Sequence, residues 1–424
     1  MTVKEETKKI TNPANVRVEV GGGVRWTTSR VINLVISAQD NSNTGIEGYC
    51  ISEGKINPAD DSYRWVKIPQ SYPLCTSYSG VVEFTLSPKD GMKEVYVWFK
   101  DGQGGISEPA QVNILLTSYE FIKRWGQVGK AEKEFIGPSA IALNPEGCFY
   151  IVDTDNHRIQ KLDRDFNCMK QWGGKGKGEG KFSYPKGITV DPSGYIYVAD
   201  SGNNYIQKFD GEGKFITQWG KTLKKEKDKW QLIDGNETDF STKGGMEGEF
   251  YEPLSMTTDS EGNILIVDSG NHCIKKFDRD GKMLSVWGQN GSLDGMLHYP
   301  FGIAVDESQD IVISDMGNNR IQKFDRDGNF LSKWGKQGKG DGEFKLPSGI
   351  VIDSSQNIYV ADAGNHRIQK FDKEGHFITS FGLTGGGDGE FNAPVFITID
   401  HEGYIYILDK INATVQKFKY VPRT

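Results

Sequence analysis

The chain has 424 residues, enough for two or three ordinary domains, with a formal charge of −7 and 52 glycines. The acidic balance argues against a phosphate-backbone ligand, and no apolar run reaches the ~18 residues of a membrane-spanning helix. The five cysteines form no CxxC pair, which argues against a zinc finger or a redox site of that kind.

Residues 1–14 are polar and read as a flexible segment rather than a signal peptide. An extracellular or cell-surface location is expected if a leader has been removed, and a cytoplasmic one otherwise. Residues 15–119 then show seven short apolar runs, at 16–20, 31–38, 48–52, 63–68, 81–86, 94–99 and 112–116, with turn residues between them. Strands at this spacing without a helical period predict an antiparallel β-sandwich. The stretch VYVWFKDGQGGISEPAQVNILL resembles the last hairpin of immunoglobulin-like or fibronectin-type modules. Cys50 and Cys75 fall in this domain, as a disulfide or as two separate thiols.

From residue 120 to 424 one unit recurs. Its marker aspartates are Asp153, Asp200, Asp268, Asp315, Asp362 and Asp409, spaced 47, 68, 47, 47 and 47 residues apart. The long interval carries a 21-residue insertion (68 − 47), centred on 221–245. Each unit opens at a proline, Pro138, Pro185, Pro253, Pro300, Pro347 or Pro394, and reads as four strands. The last copy stops after three, while residues 121–126 match the missing outer strand. A fixed period of this length predicts stacked sheets, and the borrowed strand predicts a ring closed without an open edge.

The pattern at 347–371, Pro-x-Gly-Ile-x-Ile-Asp followed by IYVADAGNHRIQKF, resembles the NHL repeat. The resemblance extends over all six copies and implies a six-bladed β-propeller. It implies no single function, because the family includes RNA-binding, protein-binding, sensor and lyase members.

The aspartate ring looks like a set of ligands, but an Asx residue before a tight loop is expected to accept that loop's backbone N–H groups. Gly202, Gly270, Gly317 and Gly364 are expected to supply positive φ, with Asp155 and Ile411 in their place in the first and last units. His157, His272 and His366 recur in alternate units, at loops on the order of 20 Å apart, too far to share a zinc ion. The lyase members depend on metal-binding histidines in the central channel. The residues following each opening proline here are Ser139, Lys186, Leu254, Phe301, Ser348 and Val395, none of them a metal ligand. The turns 278–282 and 325–329 lack the closing Glu of a calcium loop. No catalytic residue, cofactor or metal is therefore expected.

The reading is all-β: a six-bladed propeller preceded by a seven-stranded sandwich, acting as a non-enzymatic scaffold for a protein, peptide or glycan. Candidate contacts are Arg158, Tyr205, Arg320 and Arg367 at the loop tips, and Lys186 and Phe301 at the channel mouth. Trp230 and Phe240 in the insertion complete the set. A structural subunit of a surface assembly and an RNA-binding propeller are the alternatives, with a channel-site lyase behind them.

Overall fold

The computed structural model describes residues 13–40, 44–58, 65–68, 76–87, 89–220, 223–226, 229–232 and 249–421. The chain divides into two compact units, Met1–Glu120 with Val421–Thr424, and Phe121–Tyr420.

In the first unit, Ala14–Val20, Val31–Gln39 and Ser77–Thr85 form one sheet. Trp26–Thr27, Ala110–Leu116, Gly91–Asp101, Ile46–Glu53 and Val66–Lys67 form a second, in that order. Alternation puts Ile32, Leu34, Ile36 and Ala38 of the first sheet into one core with Val95, Val97, Phe99, Ile114 and Leu116 of the second. The hairpin between Gly91–Asp101 and Ala110–Leu116 is held by Asp101, whose Oδ1 accepts the N–H groups of Gln103 and Gly105. Trp26–Thr27 is too short for alternation to reveal. The run expected at 63–68 is a strand only at Val66–Lys67, and residues 63 and 64 lie outside the described residues. Cys50 is a buried free thiol; Cys75 lies outside the described residues.

The second unit contains six four-stranded antiparallel sheets among its described residues. The second of them runs Gly187–Val190, Ile196–Asp200, Tyr205–Phe209 and Phe215–Trp219. The sixth takes Pro394–Ile399, Ile405–Asp409 and Thr414–Tyr420 from the chain's end and Tyr119–Trp125 from before the first sheet. Each first strand touches the first strand of the next sheet, and that of the sixth returns to that of the first.

Second strands are buried on both faces. Ile196 and Val198 pack toward the first sheet, whereas Tyr197 and Ala199 pack toward the third. Such two-sided burial explains why these strands read as continuous apolar runs. At five of the six junctions an outer-strand tryptophan lies on the hairpin turn of the next sheet. Gly213, Gly281, Gly328 and Gly375 have φ of 73–90°, and a Cβ on any of them would meet Trp172, Trp219, Trp287 or Trp334 within 2.6–2.9 Å. In the first sheet Phe166 takes the turn and stacks on Trp125, centroids 4.1 Å apart. Phe381 packs instead against Phe418 of the sixth sheet, whose third strand runs to Tyr420 with no hairpin to an outer strand.

Candidate recognition face

The marker aspartates are fully buried, and each accepts a backbone N–H from 17 residues upstream. The donors are Ile136, Ser183, Tyr251, His298, Lys345 and Asn392. The expected self-capping is therefore corrected. Only Asp409 also accepts N–H groups of its own loop, from Ile411 and Asn412. The others fasten the incoming link to the sheet it enters. The motif asparagine completes the clasp, as when Asn203 donates both to Asp200 and to the carbonyl of Gly176. The motif glutamine does likewise, Gln207 accepting from Gly180 and donating to Lys181 and Asp200.

The loop glycines do not carry positive φ. A Cβ at Gly202, Gly270, Gly317 or Gly364 would press on the carbonyl of Ser183, Tyr251, His298 or Lys345 at 2.5–2.7 Å, which is why the position is small. The left-handed residue comes two positions later, at His157, Asn204, His272, Asn319, His366 and Ala413.

In four of the six sheets that residue grips the next one. Nδ1 of His157 accepts the N–H of Tyr184, and Nδ1 of His272 that of Tyr299, each at 3.0 Å. Asn204 and Asn319 do the same for Glu252 and Leu346 through their amide oxygens. The proton of each neutral imidazole therefore sits on Nε2. Burial pushes His157 below its ordinary pKa; burial and then the neighbouring His298 do so for His272. Tyr184, Glu252, Tyr299 and Leu346 each directly precede an opening proline and have φ of 45–53°. Bulky residues rarely adopt that conformation, and held strain of this kind gathers at functional surfaces. All four are exposed. Lys186 and Glu252 form an ion pair at 3.9 Å beside them.

The first strands enclose a cavity of about 220 Å³. Its walls are aliphatic residues, Phe396 and the threonines Thr189, Thr257 and Thr398, with no ionisable side chain. Among the described residues one group of three potential metal ligands exists, Asp372, Glu374 and His376 in an exposed turn, where His376 bonds to Asp372.

The three loop arginines are committed to the scaffold. Arg158, Arg320 and Arg367 pair with Asp153, Asp315 and Asp362 at 2.7–2.9 Å and donate to upstream carbonyls, such as Glu134, Met296 and Glu343. Tyr205 and Phe301 are half-buried, and Lys186 is tied to Glu252. Trp230 lies in the strand Lys229–Leu232, which pairs with Leu223–Glu226, and Phe240 lies outside the described residues. Sequence reasoning overlooked Tyr184, Tyr299 and Leu346. Their signal was a bulky residue before each opening proline, where a small one such as Gly137 or Ala393 also serves.

The second and third sheets break the motif. Tyr205 and Cys273 stand where the arginine belongs, and Lys275 replaces the glutamine. Without a cation, burial pushes Asp200 up to about 6. In the third sheet Lys275, fully buried, pairs with Asp268 at 2.8 Å and donates to the carbonyl of Glu249. Burial still holds Asp268 above the ordinary carboxylate range.

The NHL-repeat family model matches residues 135–162, 182–209, 250–277, 297–324 and 344–371. The sixth copy, where Ile411, Ala413 and Thr414 replace the glycine, histidine and arginine, is not among the matched segments. No curated protein matches the chain. A structural-genomics protein of unknown function from Bacteroides thetaiotaomicron is similar in structure, with a TM-score of 0.51 at 16% identity over 96% of this chain and 99% of that one. A streptogramin B lyase structure gives 0.49 at 15% identity over 71% and 97% of the two chains. A virginiamycin B lyase from Staphylococcus aureus gives 0.46 at 12% over 91% and 99%. At these identities the first likeness bears on fold alone, and the two lyases carry no argument about activity. The five matched repeats, all within residues 135–371, and the four-stranded sheets support a β-propeller of NHL type.

Proposed function

We propose that the chain is a non-enzymatic recognition protein, an immunoglobulin-like sandwich followed by a six-bladed NHL propeller. Its binding surface is the propeller face that carries the residues before the opening prolines. The observation that carries this reading is the set of exposed bulky side chains at Tyr184, Tyr299 and Leu346, each held in left-handed backbone by the preceding sheet. Packing alone would be served by glycine there, so the strain is best explained by what the side chains present.

The aliphatic and threonine lining of the axial cavity supports the non-enzymatic half, because hydrolytic or lyase chemistry needs a polarising or proton-transferring group. RNA is a weaker reading: Arg158, Arg320 and Arg367 spend their guanidinium groups on buried aspartates and carbonyls, leaving little for phosphates.

The test is affinity capture on immobilised full-length protein, comparing wild type with the double variant Tyr184→Asn/Tyr299→Asn and with a chain lacking 221–245. Asparagine tolerates left-handed backbone, so the variants remove rings without adding strain. Recovery of the same partners, at the same level, by wild type and the double variant would sink the face. Stoichiometric zinc in the purified protein would sink the non-enzymatic reading.

A further inference from the structure

Around the ring, the two residues before each opening proline are Ile136–Gly137, Ser183–Tyr184, Tyr251–Glu252, His298–Tyr299, Lys345–Leu346 and Asn392–Ala393. Every aromatic ring in this series falls on the second, third and fourth sheets. The same arc contains two of the three sheets that lost the motif arginine, the sixth being the other, and the link that carries the extra residues. The aromatic rings, the extra residues and two of the three arginine losses thus coincide on one side of one face, whereas the opposite side keeps small or aliphatic residues and one lysine.

The rings are fixed rather than loose. His157 meets the Tyr184 ring edge-on at 4.7 Å, and His272 lies parallel to His298 at 5.4 Å and 7°. Tyr299 stands edge-on to both imidazoles, at 4.6 and 4.9 Å. Tyr251 packs over Gly270, where a Cβ would meet its ring at 2.4 Å. Tyr184, Tyr251 and Tyr299 nevertheless remain 40–46% exposed.

We propose that this arc binds a neutral oligosaccharide, an inference that rests on the recognition face described above. Rigid, half-exposed tyrosines offer flat apolar platforms with a polar rim, which suits the C–H face of a pyranose ring. The phenol hydroxyls supply donors and acceptors for sugar hydroxyls, and the Nε2–H of His272 a further donor. A peptide anchor is favoured by a desolvated apolar pocket, whereas these rings are platforms rather than pocket walls. The charged pair that meets on the arc, Lys186 and Glu252, is already self-neutralised, which favours an uncharged ligand over an acidic one.

The probe is a printed array of neutral oligosaccharides (cello-, xylo-, manno- and N-acetyllactosamine series), followed by calorimetric titration of the hits into the full chain. Expected are hits whose affinity falls tenfold or more in Tyr299→Asn and Tyr184→Asn and is largely kept in Tyr299→Phe. Ile378→Ser, on the exposed side of an outer strand, should leave it unchanged. No array binding, or binding indifferent to both tyrosines, overturns the sugar assignment. If the capture experiment still yields a protein partner that depends on Tyr184 and Tyr299, the face stands and its ligand is a peptide surface. If neither readout responds to the tyrosines, both proposals fall.

Discussion

Replacing Tyr205 by arginine should repair the clasp of Asp200, which like Asp409 has no cation beside it. In three other sheets the equivalent arginine reaches the marker aspartate at 2.7–2.9 Å and donates to carbonyls 24 and 27 residues upstream. The corresponding carbonyls for position 205 belong to Lys181 and Gly178. Asp200 titrates at about 6 because it is buried with only Asn203, Gln207 and the Ser183 N–H for support. Against an ordinary value of about 3.9, the gap is worth on the order of 3 kcal/mol. The sign follows from the raised value. The favourable contribution is complete below about pH 4 and is lost as the pH rises through 6. In Tyr205→Arg the carboxylate is stabilised, so that loss should largely vanish, net of the contacts that Tyr205 itself makes. Denaturant unfolding of both proteins from pH 4 to pH 7.5 reads this directly. The variant's advantage over wild type should grow by up to about 3 kcal/mol across that range and level off above pH 7. A difference that stays constant with pH would refute the reasoning, whatever its size.

His272→Asn should be nearly neutral at pH 7.5, since Asn204 and Asn319 already fill that role, while His272→Ala removes the exposed bond to the Tyr299 N–H and should cost about 0.5–1.5 kcal/mol in denaturant melts. Because the His272 pKa is depressed, its contribution to stability is lost as the pH falls below about 6.5, so His272→Asn should gain on wild type over that range. Gly328→Ala forces a methyl to within 2.6 Å of Trp287 at φ 86°; a destabilisation of about 2 kcal/mol or more with altered tryptophan fluorescence is expected. Arg367→Met leaves Asp362 buried without its cation and should cost about 3–5 kcal/mol, measured by chemical denaturation.

The all-β class, the period and the four-strand unit were legible because two-sided burial and tight turns leave a strong local signature. IYVAD at 358–362 can hardly be anything but an inner strand. The roles of individual polar residues were not legible in the same way. Arg158, Arg320 and Arg367 look like ligand-seeking loop residues in one dimension, because their aspartate and carbonyl partners come together only once the link folds over the loop. Gly202 and Gly270 illustrate the same limit. A glycine in a turn suggests a dihedral need, whereas here the need is space beneath a neighbouring carbonyl. The exposed tyrosines were hidden by a different cause. A residue before a proline is ordinarily read as extended, and nothing local announces that a histidine from the preceding sheet holds it otherwise.

The outer strand Tyr119–Trp125 sits beside Thr414–Tyr420, so the sixth sheet is assembled from the two ends of its unit. This sets the order of events in folding. The other five sheets are built from neighbours in sequence and pay only short loop closures, whereas this one waits until the whole circuit is in place. Closing it should resemble fastening a belt. Before it, the sheets form an open array that frays from either end; after it, neither end can peel without breaking the clasp, and slow unfolding is the expected kinetic trace of that difference.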